Sequence, residues 1–218
     1  FYADTYFVTA VTDKSQRNRG ISAFIVEKGT PGFTFGTKEK KMGIRGSATY
    51  ELVFQDCKIP KENLLGELGK GFKMALITLD GGRIGVAAQA LGIAQSAIDH
   101  CKKYVTEHMQ GDQRISQYQF TQFELADMQA RVDAARLLVY RAAQAKQDHE
   151  PFSHLAAMGK LYAAEAATNV TRRCLQLVGY EGYSRDLPFE RLMRDAKITE
   201  IYEGTSEVQR MVISSWMG

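Results

Sequence analysis

The segment Ile201-Tyr202-Glu203-Gly204-Thr205-Ser206-Glu207-Val208-Gln209-Arg210 carries the residues best suited to chemistry. It sets a carboxylate, Glu203, on the last turn before a glycine break, with a new capped helix immediately after. A carboxylate fixed at such a break can point into a pocket as a proton acceptor instead of joining the solvated face. The same letters also describe an ordinary helix C-cap followed by an N-cap, and the residues alone leave both readings open. Gly204 lets the backbone turn without a Cβ. Ser206 with Gln209 fits a capping box, with Thr205 the alternative cap. The amides that open this helix suit an anionic or polar group. Asp80 and Arg83 form a second charged pair at helical i, i+3 spacing, which by itself is a surface ion pair of a few tenths of a kcal/mol.

The elements that must hold these groups follow from periodicity. Residues 1–60 read as strands: Tyr6 to Val11 and Ile21 to Val26 are aromatic and β-branched runs, and Thr49 to Phe54 alternates with Tyr50, Leu52 and Phe54 on one apolar face. With too few helices between them for parallel crossovers, an antiparallel sheet is expected. Residues 61–70 read as a linker. Over 71–218 the period becomes helical, with helices expected at about 70–107, 188–202 and 206–216. Leu125, Met128, Val132, Ala135, Val139 and Ala142 make one stripe. Leu155, Met158, Tyr162, Ala166, Val170, Cys174 and Leu177 make another. The fold class is therefore α+β, a partial antiparallel β-domain followed by an antiparallel four-helix bundle. Paired alanines permit close helix contact, and the apolar stripes exceed what one small bundle can bury, so self-association is expected.

Composition excludes several classes. Lys and Arg number 28 against 25 Asp and Glu, a net charge of +3 that argues against a nucleic-acid surface. The three cysteines and four histidines have no metal-ligand spacing, and the cysteine usage favours a reducing compartment. The most apolar stretch, Ile84 to Ala94, is too short and too interrupted to span a membrane.

Met193-Arg194-Asp195-Ala196-Lys197-Ile198 followed by Ile201 to Ser206 resembles the C-terminal signature of the acyl-CoA dehydrogenase family, and looks closest to its short-chain, butyryl-CoA-type members. Lys41-Met42-Gly43-Ile44-Arg45-Gly46-Ser47, the run Phe54 to Leu65, and Thr78 to Gln95 carry the same likeness, which covers essentially the whole chain. The family joins an N-terminal helical domain, a middle β-domain and a four-helix bundle. The resemblance implies that this chain holds the later part of the β-domain and the bundle, and lacks the first domain.

The implied reaction is FAD-dependent α,β-dehydrogenation of a short-chain acyl-CoA thioester. Glu203 stands at the position of the base that removes the α-proton while a hydride passes to flavin N5. Desolvation beneath bound substrate raises such a carboxylate's basicity. The thioester carbonyl would be held by the Glu203 backbone N–H and a ribityl hydroxyl of FAD. By the same resemblance Asp80 and Arg83 border the acyl-CoA cleft, Tyr202 lines the acyl pocket beside Gly204, and Thr205 and Glu207 lie beside FAD. Some family members carry their base on the neighbouring helix, where this chain has Gly82, and that leaves Glu203 as the acceptor.

Two stretches expected along FAD depart from the family pattern. In Tyr104 to Arg114, His108 stands for the family's pyrophosphate-binding Arg, Gly111 for its Phe and Asp112 for its Gly. In Gln176-Leu177-Val178-Gly179-Tyr180-Glu181-Gly182, Tyr180 takes the place of a second glycine. The loss of a bidentate donor implies weakened FAD affinity or a remodelled pyrophosphate site. The resemblance further implies an electron-transferring flavoprotein as partner, a homo-oligomer (dimer or tetramer), and bacterial cytoplasm or mitochondrial matrix, the former preferred. The competing reading is a non-catalytic homologue or fragment that binds CoA esters or serves assembly.

Overall fold

The computed structural model describes all 218 residues. The chain divides into two units, residues 1–41 with 45–78, and residues 42–44 with 79–218.

The first unit is built on antiparallel strands. β1 (Thr5–Val11) pairs with β2 (Ile21–Glu27) from Thr5 opposite Glu27 to Val11 opposite Ile21. The polar stretch between them curls into tight turns over Lys14–Gly20. Asp13 opens those turns by accepting from the Ser15 N–H at 2.9 Å and its hydroxyl at 2.7 Å, and these bonds hold its carboxyl below the usual range. β2 is the central strand, with Ala23 and Val26 buried. A second ribbon joins β3 (Phe33–Lys38) to β4 (Tyr50–Phe54), where Phe33 stacks on Phe54 at 4.8 Å and Tyr6 meets Phe33 edge-on at 5.0 Å. Periodicity does not announce β3, because its apolar face ends after Phe33 and Phe35 with Thr37, and its pairing turns irregular between Phe35 and Lys38. The apolar face expected on β4 is only half right. Tyr50 and Phe54 find aromatic partners, but Leu52 and Phe54 both stay exposed.

The stretch 61–70 is not a plain linker. After a turn at Lys61–Asn63, β5 (Leu64–Leu65) pairs with Ala23 and Phe24 of β2 and completes a three-stranded antiparallel sheet. Two leucines suffice because their backbone groups close the free edge of β2.

α1 (Gly71–Glu107) carries the chain into the second unit. A small hairpin follows, β6 (Met109–Gln110) and β7 (Gln113–Arg114), turned by Gly111 at φ 63. A positive φ at the first central residue alone is what a type II′ turn requires. Then come α2 (Gln119–Gln147), α3 (Ser153–Val178), the single turn α4 (Tyr180–Tyr183), α5 (Phe189–Lys197) and α6 (Ser206–Met217). No helix is long and apolar enough to cross a membrane.

The α2 stripe is as expected: Met128, Val132, Ala135, Val139 and Ala142 are all buried. The α3 stripe holds in its second half, where Ala166, Val170 and Cys174 are buried and Leu177 packs on the core, and not in its first. Its buried face runs through Ala156, Lys160, Ala163, Ala167, Val170 and Cys174, whereas Leu155 and Met158 are half-buried and Tyr162 is exposed. The reason is close approach between helices. The Cβ position of Gly159 lies 3.5 Å from the Leu138 carbonyl on α2, so bulky side chains are forced to the flank. The buried Cys174 Sγ lies 3.7 Å from Met128 Sδ, tying the same two helices together.

Candidate active site

The helix expected to reach residue 202 ends earlier. α5 stops at Lys197 and a 3-10 turn covers Ile198–Glu200. Glu203 therefore does not lie on a last helical turn. It sits in a short connection with φ 55, and Gly204 follows at φ 88. A side-chain-bearing residue in the left-handed region is costly and is held only where its surroundings over-determine it.

The surroundings do so from three helices. On α1, Gly82 gives space: a Cβ there would stand 2.5 Å from Glu203 Oε2. On α3, the fully buried Lys160 donates from Nζ to the Gly204 carbonyl at 2.7 Å. On α6, the fully buried Gln209 donates from Nε2 to the same carbonyl at 2.8 Å and to the Glu203 carbonyl at 3.2 Å. The Glu203 N–H makes no bond within the chain and is left as a donor.

The capping box expected from Ser206 and Gln209 is not formed, since Gln209 is turned back onto the loop. Thr205 is the N-cap, its hydroxyl accepting from the Val208 N–H at 3.4 Å. Ser206 is buried with its Oγ unpartnered. Glu207 lies exposed in the first turn of α6, where hydrogen bonds from its own backbone N–H and from the Thr205 hydroxyl hold its carboxyl below the usual range.

The structure brings the other expected substrate residues to the same end of the unit. Arg83 is buried and pairs with Asp80 at 2.5 Å, and the Ser153 hydroxyl adds a bond to the same Asp80 oxygen at 3.1 Å. Arg83 Nε has no partner of its own. The Tyr202 hydroxyl bonds Gln89 Oε1 of α1. Burial pushes the Tyr202 phenol up, opposed by that bond and assisted by the neighbouring Glu203 charge. Lys160 is pushed down to about 8 by burial and by Arg83, against the carboxylates of Glu200, Glu203 and Glu207.

Motif and spacing do not point to Lys160, Gln89 or Ser153. For Lys160 a signal exists all the same: a lone charge on a helix face otherwise made of alanine marks a position with a buried partner.

The remaining expected residues lie elsewhere. His108 begins just beyond the far end of α1, and Gly82 and Glu107 stand 25 residues apart on that helix, about 37 Å. The His108 ring stacks on Tyr104 at 3.8 Å, and its Nδ1 lies 2.9 Å from the Tyr104 carbonyl. Gln176 lines a cavity of about 470 Å³ with Gln110, Phe120, Glu124, Arg172 and Arg173. Arg173 is already engaged there by Glu124 at 2.5 Å and Asp127 at 3.5 Å. Gly111 turns the adjoining hairpin. Gly182 is buried against Val178, and Gly179 is exposed, with open space where a side chain would stand. Tyr180 points outward at 87% exposure and does not obstruct that space.

These features fit an extended polar cofactor at both ends. The unpartnered, buried Ser206 Oγ suits a hydroxyl or anionic group. The open Gly179 allows close backbone approach. What is missing is a permanent cation at position 108.

The family model for the acyl-CoA dehydrogenase middle domain matches residues 1–57, and that for the C-terminal domain matches residues 69–218. The short-chain specific acyl-CoA dehydrogenase of Megasphaera elsdenii is 57% identical over 210 residues, which cover 96% of this chain and 55% of that protein. The solved butyryl-CoA dehydrogenase of the same organism superposes with a TM-score of 0.97 at 55% identity, over 99% of this chain and 56% of that one. A chain solved in work on the electron transferring flavoprotein of Acidaminococcus fermentans superposes with a TM-score of 0.98 at 56% identity, over 99% of this chain and 57% of that one. The chain thus spans about half the length of the curated relatives it matches. Over that half, the strands, the bundle and the signature around Glu203 agree with one another, and the chain belongs to the acyl-CoA dehydrogenase family.

Proposed function

We propose that this chain belongs to an FAD-dependent dehydrogenase of short-chain acyl-CoA thioesters, with Glu203 as the base. One observation carries the reading: the Glu203 carboxylate lies against a helix position that has no side chain, at the end of a loop clamped from two other helices. The relatives named above carry the substrate class.

In this reading the acyl-CoA enters with its α-carbon facing Glu203 and its thioester carbonyl facing the Glu203 N–H, which has no bond within the chain. Donation to the carbonyl stabilises the charge that develops as the α-proton leaves, and the carboxylate takes that proton. Excluding water beneath the acyl group raises the carboxylate's basicity at the moment it is needed. Arg83 with Asp80, and Tyr202 with Gly204, border the cleft. FAD supplies the acceptor for the β-hydride when bound, held by Thr205, Glu207, Gln176, Gly179, Gly182, His108 and Gly111. Since His108 and Gly111 lie beyond the end of α1, about 37 Å along that helix from the Gly82 beside Glu203, one chain's bundle serves two flavins in this reading, its own and that of a second copy.

A homodimer or tetramer is the assembly this reading requires, supported by Phe120, Phe123, Leu137 and Tyr140, all left more than 60% exposed on α2. The likeness to the chain from the flavoprotein study supports an electron-transferring flavoprotein as the acceptor, and the bacterial relatives support bacterial cytoplasm as the compartment.

The departures at His108, Gly111 and Tyr180 favour a second reading, a homologue that binds CoA esters without oxidising them. One experiment separates the two. The full-length protein is purified, its visible spectrum recorded, and butyryl-CoA added without oxygen. A flavin band near about 450 nm that bleaches on addition supports the dehydrogenase. A folded, colourless protein that still binds butyryl-CoA supports the second reading.

A further inference from the structure

We infer that Lys160 is a positioning residue: its ammonium, together with Gln209, fixes the Gly204 carbonyl and thereby keeps Glu203 in the left-handed conformation that sets its carboxylate against Gly82. The inference rests on the reading of Glu203 as the proton acceptor.

Lysine is rarely buried without a task. Lys160 is fully buried between Ala156-Ala157 and Ala163-Ala164, on a face that otherwise packs helix to helix. Its Nζ meets a backbone carbonyl, not a carboxylate, at 2.7 Å. With Gln209 Nε2 at 2.8 Å, two donors from two helices converge on one oxygen, which fills both of its lone pairs. Two successive positive φ values, 55 and 88, precede α6, and the first belongs to glutamate. Such a conformation is costly for a residue with a side chain, so it needs anchors outside itself. Gln209 alone would leave the loop hinged on one flexible amide. The ammonium supplies a charge-assisted bond, the stronger kind.

Four charged groups surround Lys160: Arg83 of α1, Glu200 of the 3-10 turn, Glu203 of the loop and Glu207 of α6. Three are carboxylates, which keep the ammonium charged at neutral pH although burial lowers its pKa to about 8. The alternative, a lysine kept for stability alone, is physically poor. Taking an ammonium out of water is costly, and burial here lowers its pKa, so a chain selected for stability alone would place an apolar residue at this position.

The test compares Lys160→Met with the unaltered full-length protein. Three readouts are taken: kcat and KM for butyryl-CoA, amide hydrogen exchange resolved by segment, and the thermal midpoint. We expect kcat to fall about ten- to a hundredfold with KM within about threefold, since a displaced base loses rate more than binding. Exchange should quicken over residues 202–205 and stay unchanged over 163–174, with the midpoint held. Unchanged kcat with unchanged exchange overturns the inference. So does loosening throughout 163–174, which marks Lys160 as a packing residue. Should the unaltered protein turn over no acyl-CoA, the dehydrogenase reading fails separately, and the exchange comparison alone decides the clamp: quickening confined to 202–205 supports it, and no change overturns it.

Discussion

The Glu203 carboxylate rests on Gly82: a Cβ on that glycine would stand 2.5 Å from Oε2 and 3.0 Å from the carboxyl carbon. The glycine costs α1 helical propensity, and the space it leaves is filled by the Glu203 carboxylate.

Gly82→Ala should therefore push the carboxylate off its seat and lower kcat about ten- to a hundredfold. Gly85→Ala serves as the control. It is exposed on the same helix with nothing near its Cβ position, and should leave kcat alone while adding about 0.5–1 kcal/mol of stability. Steady-state kinetics and urea melts of the two variants check the contrast.

Asp80→Ala removes the one carboxylate paired with the buried Arg83, whose Nε already lacks a partner. The stranded guanidinium should cost about 1–3 kcal/mol in denaturant unfolding. Asp80→Asn, which still accepts from Arg83 and Ser153, should cost less.

The buried Lys160 links stability to pH. Its pKa is about 8 in the folded chain against an ordinary 10.5. Between those values the unfolded chain holds the proton and the folded chain has released it, so stability rises with pH across that window. Below about pH 8 both states are protonated and the contribution is flat. Urea melts at intervals from about pH 7 to 10 should show the unaltered protein gaining on Lys160→Met above about pH 8. A constant or shrinking difference would contradict the burial argument.

His108→Arg restores a permanent planar cation beyond the end of α1, in place of a ring committed to Tyr104. Flavin retained after gel filtration should rise in this variant, by about two- to tenfold in apparent affinity for one added charged contact. No gain would mean that position 108 does not face the cofactor.

Much of this arrangement is legible in the residues. The strand-to-helix change of period, the α2 stripe and the proximity of Glu203 to Asp80 and Arg83 follow from spacing or from the family signature. Other features are not. On α3, periodicity favours the large residues Leu155, Met158 and Tyr162 as core, whereas the close approach at Gly159 selects alanine. β5 carries no periodicity in its two leucines, and only pairing with β2 makes them a strand. Gln209 stands at capping-box spacing from Ser206, but spacing does not say which way an amide turns. Its true target, the Gly204 carbonyl, exists only once three helices have met.

Whether Glu203 takes the α-proton is tested most directly by the turnover of butyryl-CoA by Glu203→Gln in the full-length protein, measured beside the affinity for butyryl-CoA. The amide keeps the shape and cannot accept the proton. Turnover should fall about a hundred- to ten-thousandfold with affinity held within a few-fold. Turnover close to that of the unaltered protein would contradict the assignment of Glu203 as the base.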